Sequence, residues 1–410
     1  MPACWRAVRR QPDAMGARQN VIVVGAGPVG FLTALGLARQ GIGVTVLDAE
    51  PEVNASPRAA VYYHTTLSIL KKLGMAEDAH AIGEPSTEFR MHWLETGEVM
   101  RSDMRDARDP GQEFDHNLHF GQHILAEMVM EHLARLSDTQ VLWRHRVTGL
   151  AHSADRVVLT VETPGGEIEM SAGWVIGTDG ARSTIRGLLG LEFEGFTWPD
   201  RFVATNIEYP FLEQGFSNAN MVVDPVNWAV VGRLGRENLW RLTYGEDAGL
   251  DEATILERLP ERFAAILPDP SIPYRIDNFS PYRVHQRCAP RFRVGRVLLA
   301  GDAAHACNPC GGLGLTGGVI DADMLSDALG AVITASEEET LLDFYAAERR
   351  RVFLEVASPM STNFKRLLSE SDPEQRAKDK RDMFADAERG GTEIRASSLA
   401  ELMRGEPLPL

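Results

Sequence analysis

The feature that most constrains the fold of this chain is a glycine-rich turn that follows a short apolar run near the N-terminus. The run from Asn20 to Val24 is typical of a buried parallel strand, and the segment Gly25-Ala26-Gly27-Pro28-Val29-Gly30 follows it directly. In such a turn the first glycine permits the tight bend, the second lets the backbone approach a pyrophosphate, and the third lets the next helix pack closely on the strand. The phosphates would lie at the helix N-terminus, where unpaired N–H groups carry partial positive charge.

An acidic residue at the end of a second predicted strand supports this interpretation. The segment from Gly43 to Leu47 is predicted to be that strand, and Asp48 ends it 18 residues after Gly30. A carboxylate at this place can accept hydrogen bonds from ribose hydroxyls. The pattern predicts a Rossmann-like domain that binds a dinucleotide, although it does not separate NAD from FAD, and a glycine-rich turn without a ligand is the alternative.

A second glycine-rich segment, late in the chain, favours FAD. Val297 to Ala300 is a predicted buried strand, so Asp302 lies near its carboxyl end, where ligands bind in open α/β sheets. A carboxylate there suits a ribityl hydroxyl. The stretch from Gly311 to Gly314 then opens a predicted helix, whose N-terminus can stabilise negative charge on a reduced isoalloxazine ring.

Together with the mid-chain segment Asp179-Gly180-Ala181-Arg182-Ser183, these segments resemble the group A flavoprotein monooxygenases, the family of para-hydroxybenzoate hydroxylase, over residues 21–364. The resemblance implies FAD as the cofactor, NADPH or NADH as a transient reductant, and O2 as co-substrate. It implies hydroxylation or epoxidation of an aromatic or polyketide-like small molecule through a flavin C4a-hydroperoxide, with Pro309 beside the flavin ring as the one residue assigned to the reacting centre. The residues that match the family's FAD contacts are Gly25, Gly27, Pro28, Gly30, Asp48, Arg58, Gln122, Asp179, Gly301, Asp302, Pro309, Gly312, Leu313 and Gly314.

The pattern changes between residues 196 and 282 to short strands rich in aromatic and β-branched residues, which predicts an antiparallel sheet. We therefore predict an α/β fold with a discontinuous Rossmann-like FAD-binding domain, an inserted antiparallel β-sheet substrate domain and a C-terminal helical segment.

Trp228, Trp240 and Tyr244 in this sheet are candidate substrate contacts, although aromatic residues in strands more often pack in a core. The predicted limits are 1–19 for a disordered N-terminal extension, 20–85, 115–195 and 283–340 for the FAD-binding domain, 86–114 and 196–282 for the sheet domain, and 341–410 for the C-terminal helices.

A pair of cysteines near the predicted flavin site leaves other functions open. Cys307 and Cys310 form a CxxC motif, which could be a redox dithiol or half of a metal site. No second cysteine pair or histidine cluster completes a metal site, so we predict none and favour two buried side chains in a turn. An FAD-dependent dehydrogenase or thiol oxidase that uses these cysteines, and a non-catalytic FAD-bound redox sensor, are the alternatives. His305, close by, is expected to be structural.

Composition limits the classes of partner. The net charge of −16 argues against nucleic acid and anionic membrane surfaces, and no apolar run approaches the roughly 20 residues that span a bilayer. The first 19 residues lack the continuous apolar block of a secretory signal, and Met15 is an alternative start to Met1. We expect a cytoplasmic monomer or homodimer that acts on a small aromatic molecule.

Overall fold

The computed structural model describes residues 20–55, 60–107, 112–235, 238–388 and 401–410. The predicted N-terminal extension and Arg58 lie outside these ranges. The strands are β1 Val21–Val24, β2 Val44–Asp48, β3 Val61–Tyr62, β4 Glu84–Ser86, β5 Glu88–Trp93, β6 Val99–Asp103, β7 Asn117–His119, β8 Thr139–Trp143, β9 Arg146–His152, β10 Val157–Thr163, β11 Gly166–Ala172, β12 Trp174–Gly177, β13 Glu194–Glu208, β14 Ala219–Val223, β15 Ala229–Arg233, β16 Leu239–Asp247, β17 Arg275–Cys288, β18 Arg293–Val294, β19 Val297–Leu299 and β20 His305–Ala306. The α-helices are α1 Pro28–Ala38, α2 His64–Lys72, α3 Ala76–Ile82, α4 Gln122–Leu133, α5 Thr184–Leu188, α6 Ile255–Ile266, α7 Leu313–Gly330, α8 Thr340–Val352, α9 Ser358–Ser369 and α10 Pro373–Glu388.

The first sheet is the predicted Rossmann-type sheet. Its strand order is β18-β19-β12-β1-β2-β8, and β1 lies in parallel between β12 and β2. All side chains of β1 are buried, as a strand covered on both faces requires. Helix α1 begins at Pro28, immediately after the glycine turn, and packs on α7 so closely that a Cβ at Gly36 would lie 2.4 Å from the Oγ of Ser326. The carboxyl ends of β1, β2, β12 and β19 therefore lie along one edge.

The second sheet has the order β20-β17-β13-β16-β15-β14-β5-β6. Its neighbours pair antiparallel as predicted, except that β14 and β5 run parallel. These two strands are far apart in the chain, so no hairpin dictates their relative direction. Helix α6 covers one face, with Leu259 and Phe263 packed in the same core as Trp240 and Tyr244 of β16. The opposite face of the second sheet is not covered by α6 and is available to a ligand.

The remaining elements complete the fold around the two sheets. Strands β9, β10 and β11 form an antiparallel sheet, and the turn between β10 and β11 closes where Thr163 pairs with Gly166. Helices α8, α9 and α10 form the C-terminal helical segment, and α9 packs against β14. The fold class predicted from the sequence is confirmed, and the domain limits stay a prediction. Within the described ranges, no helix is both long enough and apolar enough to cross a bilayer.

Candidate functional site

A cavity of about 1060 Å³ extends from the turn after β1 to the second sheet. The predicted FAD residues that border it are Gly25, Gly27, Pro28, Asp48, Gln122, Asp179, Asp302, Pro309, Gly312 and Gly314. The carboxyl ends of β1, β2, β12 and β19 thus open onto the same space, which is where ligands bind in open α/β sheets.

The glycines after β1 differ in what surrounds them. Gly25 has a φ of +111°, and a Cβ on it would lie 2.5 Å from the carbonyl oxygen of Thr178. A Cβ on Gly30 would lie 1.9 Å from the carbonyl oxygen of Gly25, so this glycine serves packing and lies behind the cavity. A Cβ on Gly27 would meet no atom of the described residues within 4 Å, which leaves its backbone open to a ligand. The tight bend at Gly25 and the close packing at Gly30 agree with the sequence analysis, whereas the contact of Gly27 with a pyrophosphate stays a prediction.

Asp48 joins the ends of the first two strands. Its Oδ2 accepts a hydrogen bond from the Ala26 N–H at 2.6 Å, and its Oδ1 accepts one from the Glu50 N–H at 2.8 Å. An ionised carboxylate has about four lone-pair sites, so Asp48 can still accept bonds from ribose hydroxyls.

Asp179 has a local structural role that the sequence analysis missed. Its carboxylate accepts hydrogen bonds from the Ser183 hydroxyl at 2.5 Å and from the N–H groups of Thr184 and Ile185 at 2.7 and 3.1 Å. Burial raises the pKa of this carboxyl, while these hydrogen bonds oppose the rise. The carboxylate therefore caps α5 and shapes the loop that borders the cavity. Ser183, whose hydroxyl accepts a hydrogen bond from the Arg186 N–H at 2.9 Å, is the N-cap residue of α5 and was the sequence signal that a helix begins here.

Arg186, also missed, connects two of the cofactor segments. Its Nη1 donates to the carbonyl oxygen of Ala303 at 2.9 Å, and its Nη2 donates to that of Ala181 at 2.8 Å. The guanidinium thereby fixes the loop after β12 against the segment after β19.

The turn before α7 presents a helix N-terminus to the cavity. Gly311 and Gly312 have φ values of +95° and +67°, and among the described residues no side chain caps the first turn of α7. Pro309, Gly312 and Gly314 border the cavity, whereas the side chain of Leu313 is buried in the main core. Leu313 can therefore contribute to cofactor binding only through its backbone.

A buried ion-pair cluster contacts Gly301 on the side that faces away from the cavity. The N–H of Gly301 donates to Oδ2 of Asp321 at 2.9 Å, and the same oxygen lies 2.7 Å from His305 Nε2. Oδ1 of Asp321 accepts from Arg349 Nε at 2.7 Å. The His305 ring also stacks on Phe353, so His305 is structural, as expected from the sequence.

The candidate substrate contacts Trp228, Trp240 and Tyr244 are corrected by the structure. All are buried in hydrophobic cores. Side chains alternate along a strand, and in β16 it is Arg241 and Thr243 that border the cavity. Sheet residues that do border it include Phe89, Met221, Val230, Ser280 and Tyr282, and Phe364 of α9 joins them.

The cysteine pair lacks the features of a reactive dithiol. Both thiols are free, and burial raises the pKa of Cys307 and of Cys310 to about 12. Cys307 borders the cavity, whereas Cys310 is fully buried among aromatic and aliphatic side chains. A thiol with so high a pKa supplies very little thiolate at neutral pH. In the described part of the chain, no group of three or more His, Cys, Asp or Glu side chains is placed to hold a metal.

The chain is similar to known proteins over most of its length. Residues 18–358 match the family model described as "FAD binding domain". The chain is 46% identical over 369 residues to para-nitrophenol 4-monooxygenase of a Pseudomonas strain, covering 89% of this chain and 91% of the relative. It is 42% identical over 362 residues to 6-hydroxy-3-succinoylpyridine 3-monooxygenase of Pseudomonas putida, covering 88% and 91%. The crystal structure of p-nitrophenol 4-monooxygenase from Pseudomonas putida superposes with a TM-score of 0.89 at 43% identity, covering 94% of this chain and 98% of that chain.

Proposed function

Because this chain belongs to the FAD-binding-domain family, among the group A flavoprotein hydroxylases, we propose that it uses NADPH or NADH and O2 to hydroxylate a small phenol or hydroxypyridine. The observation that carries the proposal is the continuous cavity from the glycine turn after β1 to the polar and aromatic face of the second sheet. A cofactor and a small aromatic ring can meet in such a space.

The residues present fit FAD along its length. The open backbone at Gly27 suits the pyrophosphate, the carboxylate of Asp48 suits a ribose, and Asp302 borders the cavity at a place suited to the ribityl chain. The uncapped N-terminus of α7 suits the pyrimidine edge of the isoalloxazine ring, because that edge carries negative charge after reduction. When bound, FAD supplies hydride acceptance and oxygen activation, which amino acid side chains do not provide.

The sheet and α9 would exclude water from the reacting ring. Phe89, Met221, Val230 and Phe364 give the cavity an apolar wall. Exclusion of water by these apolar side chains strengthens the electrostatic interactions within the site and limits side reactions. The protein's part in the reaction is therefore to bind the ring and to orient it.

Arg241 is the residue that we assign to orientation. It borders the cavity from β16, and its Nε donates to Oδ1 of Asn206 at 2.9 Å, which fixes the plane of the guanidinium. A guanidinium at the cavity wall favours an oxygen-rich, negatively charged group such as a phenolate, nitro group or carboxylate.

The names of the two relatives indicate which ring carbon of the substrate is oxygenated. In para-nitrophenol and in 6-hydroxy-3-succinoylpyridine, the ring carbon named for oxygenation lies para to a hydroxyl and already carries a substituent. We propose that this chain also acts at a substituted carbon para to a hydroxyl. A hydroxyl group added there lets the substituent leave with its bonding electrons, while the ring becomes a quinone.

Spectra and turnover together test the proposed function. Purified protein should show the absorption of bound FAD, and para-nitrophenol or a 3-substituted 6-hydroxypyridine should stimulate NADPH or NADH consumption. Nitrite release in proportion to para-nitrophenol consumed, and one atom of labelled O2 in the ring product, should accompany it. The Cys310→Ala variant should keep this turnover. Bound FAD with no substrate-stimulated consumption across phenols and hydroxypyridines, or turnover that is lost with Cys310 and leaves no label in the product, would contradict the proposal.

A further inference from the structure

The hydroxyl group of Tyr63 is bonded to the glycine turn that precedes α7. Its Oη donates to the carbonyl oxygen of Gly311 at 2.6 Å, across 248 positions of sequence. Tyr63 is the residue before α2, is buried and borders the cavity. Burial raises the pKa of Tyr63 to about 12, so the hydroxyl keeps its proton and remains a donor. Neither the sequence motifs nor the proposed function gives this contact a role.

The peptide that joins Gly311 to Gly312 is held at both ends. Its carbonyl accepts from Tyr63, and its N–H donates to the carbonyl oxygen of Pro309 at 3.0 Å. Both glycines adopt left-handed φ values, and a residue without a Cβ reaches the mirror-image conformations at little cost. Without these anchors the peptide could rotate between orientations.

The orientation of this peptide bears on the electrostatics of the cavity. The N-terminus of α7 carries partial positive charge, because its first N–H groups have no intrahelical partners. A rotated peptide would expose the Gly311 carbonyl, which is the negative end of a dipole, beside these groups. The hydrogen bond from Tyr63 keeps that carbonyl occupied.

We propose that Tyr63 is a positioning residue that holds the Gly311–Gly312 peptide in the orientation that lets the N-terminus of α7 stabilise reduced flavin. The inference deepens the proposed function and rests on the binding of FAD along this cavity. Tyr63 acts through the turn and takes no part in the chemistry. Its hydroxyl therefore affects the reduction potential of the bound flavin and the mobility of the turn.

The neighbouring Tyr62 provides a matched control. Its side chain is fully buried, its ring stacks on Phe120 with centroids 4.0 Å apart, and its hydroxyl has no hydrogen-bond partner among the described residues. Tyr62→Phe and Tyr63→Phe remove the same atom from adjacent buried tyrosines, but only the second change removes a bond to the turn.

Two measurements on the full-length protein test the proposal. Hydrogen–deuterium exchange of the Gly312 amide, with and without FAD, should be up to about tenfold faster in Tyr63→Phe, the factor that corresponds to the loss of one hydrogen bond. The midpoint potential of bound FAD should shift to a more negative value in Tyr63→Phe. Both quantities should be unchanged in Tyr62→Phe.

Equal behaviour of the two variants would overturn the proposal. Faster exchange with an unchanged potential would also overturn it, because the turn would then move without effect on the flavin. If Tyr63→Phe proves unstable, Tyr63→His, which keeps a ring with an N–H donor, should bind FAD with a midpoint potential close to that of the original protein, and a clearly more negative potential would count against the role. Neither measurement uses hydroxylation, so a lack of turnover would count against the proposed function alone.

Discussion

The carboxylate of Asp48 accepts a hydrogen bond from the backbone N–H of Ala26 at 2.6 Å. The acidic residue at the end of β2 is thereby tied to the glycine turn at the end of β1, so the proposed sites for ribose and pyrophosphate are fixed relative to each other. A single carboxylate can serve both purposes because its remaining lone pairs stay available to a ligand.

Replacing Asp48 should weaken FAD binding. We expect Asp48→Ala to raise the dissociation constant of FAD at least about tenfold, which is a loss of about 1.4 kcal/mol, because the ribose acceptor and the bond to the turn are lost together. Titration of FAD-free protein by flavin fluorescence measures this. Glu50→Gln is the control, since it removes a nearby exposed charge and leaves the Glu50 N–H bond to Asp48 intact. Unaltered affinity in Asp48→Ala would contradict the assigned role.

Two glycines of the same turn should respond in opposite ways to alanine. A Cβ on Gly27 enters the open cavity, so Gly27→Ala should leave the thermal stability of the FAD-free protein nearly unchanged and should weaken FAD binding. A Cβ on Gly30 would lie 1.9 Å from a backbone oxygen, so Gly30→Ala should lower the stability or prevent folding. Thermal unfolding and FAD titration of both variants separate these effects. Equal loss of stability in the two would show that Gly27 also serves packing.

The parts of the fold that the sequence predicts are those determined by local chemistry. The glycine turn after β1, Asp48 at the end of β2 and the turn before α7 each depend on φ values or positions that few residue types satisfy. These features, and the alternation of strands with helices, were therefore readable without tertiary information.

The parts that were missed depend on which elements cover each other. The alternation in β16 was visible, but only the packing of α6 decides that Trp240 faces a core and Arg241 faces the cavity. Phe364 reaches the cavity from α9, a segment that is far from the cofactor motifs in sequence. The assignment of Asp179 to FAD stays a prediction, but its capping of α5 depends on how the loop after β12 folds back on this carboxylate.

The two faces of β16 should give different mutant kinetics. Arg241→Gln should raise KM for a phenol substrate about tenfold or more, because a charge-assisted contact to the substrate's oxygen contributes about 1.5–3 kcal/mol. Trp240→Phe changes the core on the other face, so it should lower thermal stability with little effect on KM. Steady-state kinetics and thermal unfolding of the two variants test this. An unchanged KM in Arg241→Gln would remove Arg241 from the substrate contacts.

The buried pair of Asp321 and Arg349 should make stability depend on pH in a defined direction. Burial alone would raise the pKa of Asp321, but the charges of His305 and Arg349 and their hydrogen bonds outweigh it and lower the pKa from 3.8 to about 2. Because the folded-state pKa is below the unfolded value, the ionised carboxylate stabilises the fold above about pH 4, and this contribution is lost as the pH falls from about 4 to 2. Asp321→Asn should therefore be less stable than the original protein at pH 7, and the difference should narrow below pH 4.

Thermal unfolding of the full-length protein between pH 7 and pH 3 measures this difference. Asp323→Asn is the matched control two residues away in α7, because burial raises the pKa of Asp323 and its ionised form gives no stability that acid would remove. Arg349→Met should cost about 3–5 kcal/mol at pH 7, since it leaves the charge of Asp321 buried with one partner fewer. A difference between the original protein and Asp321→Asn that stays constant or widens below pH 4 would show that the ionised carboxylate does not stabilise this fold. The cluster would then hold Gly301 in place by hydrogen bonds alone, without a net contribution from charge.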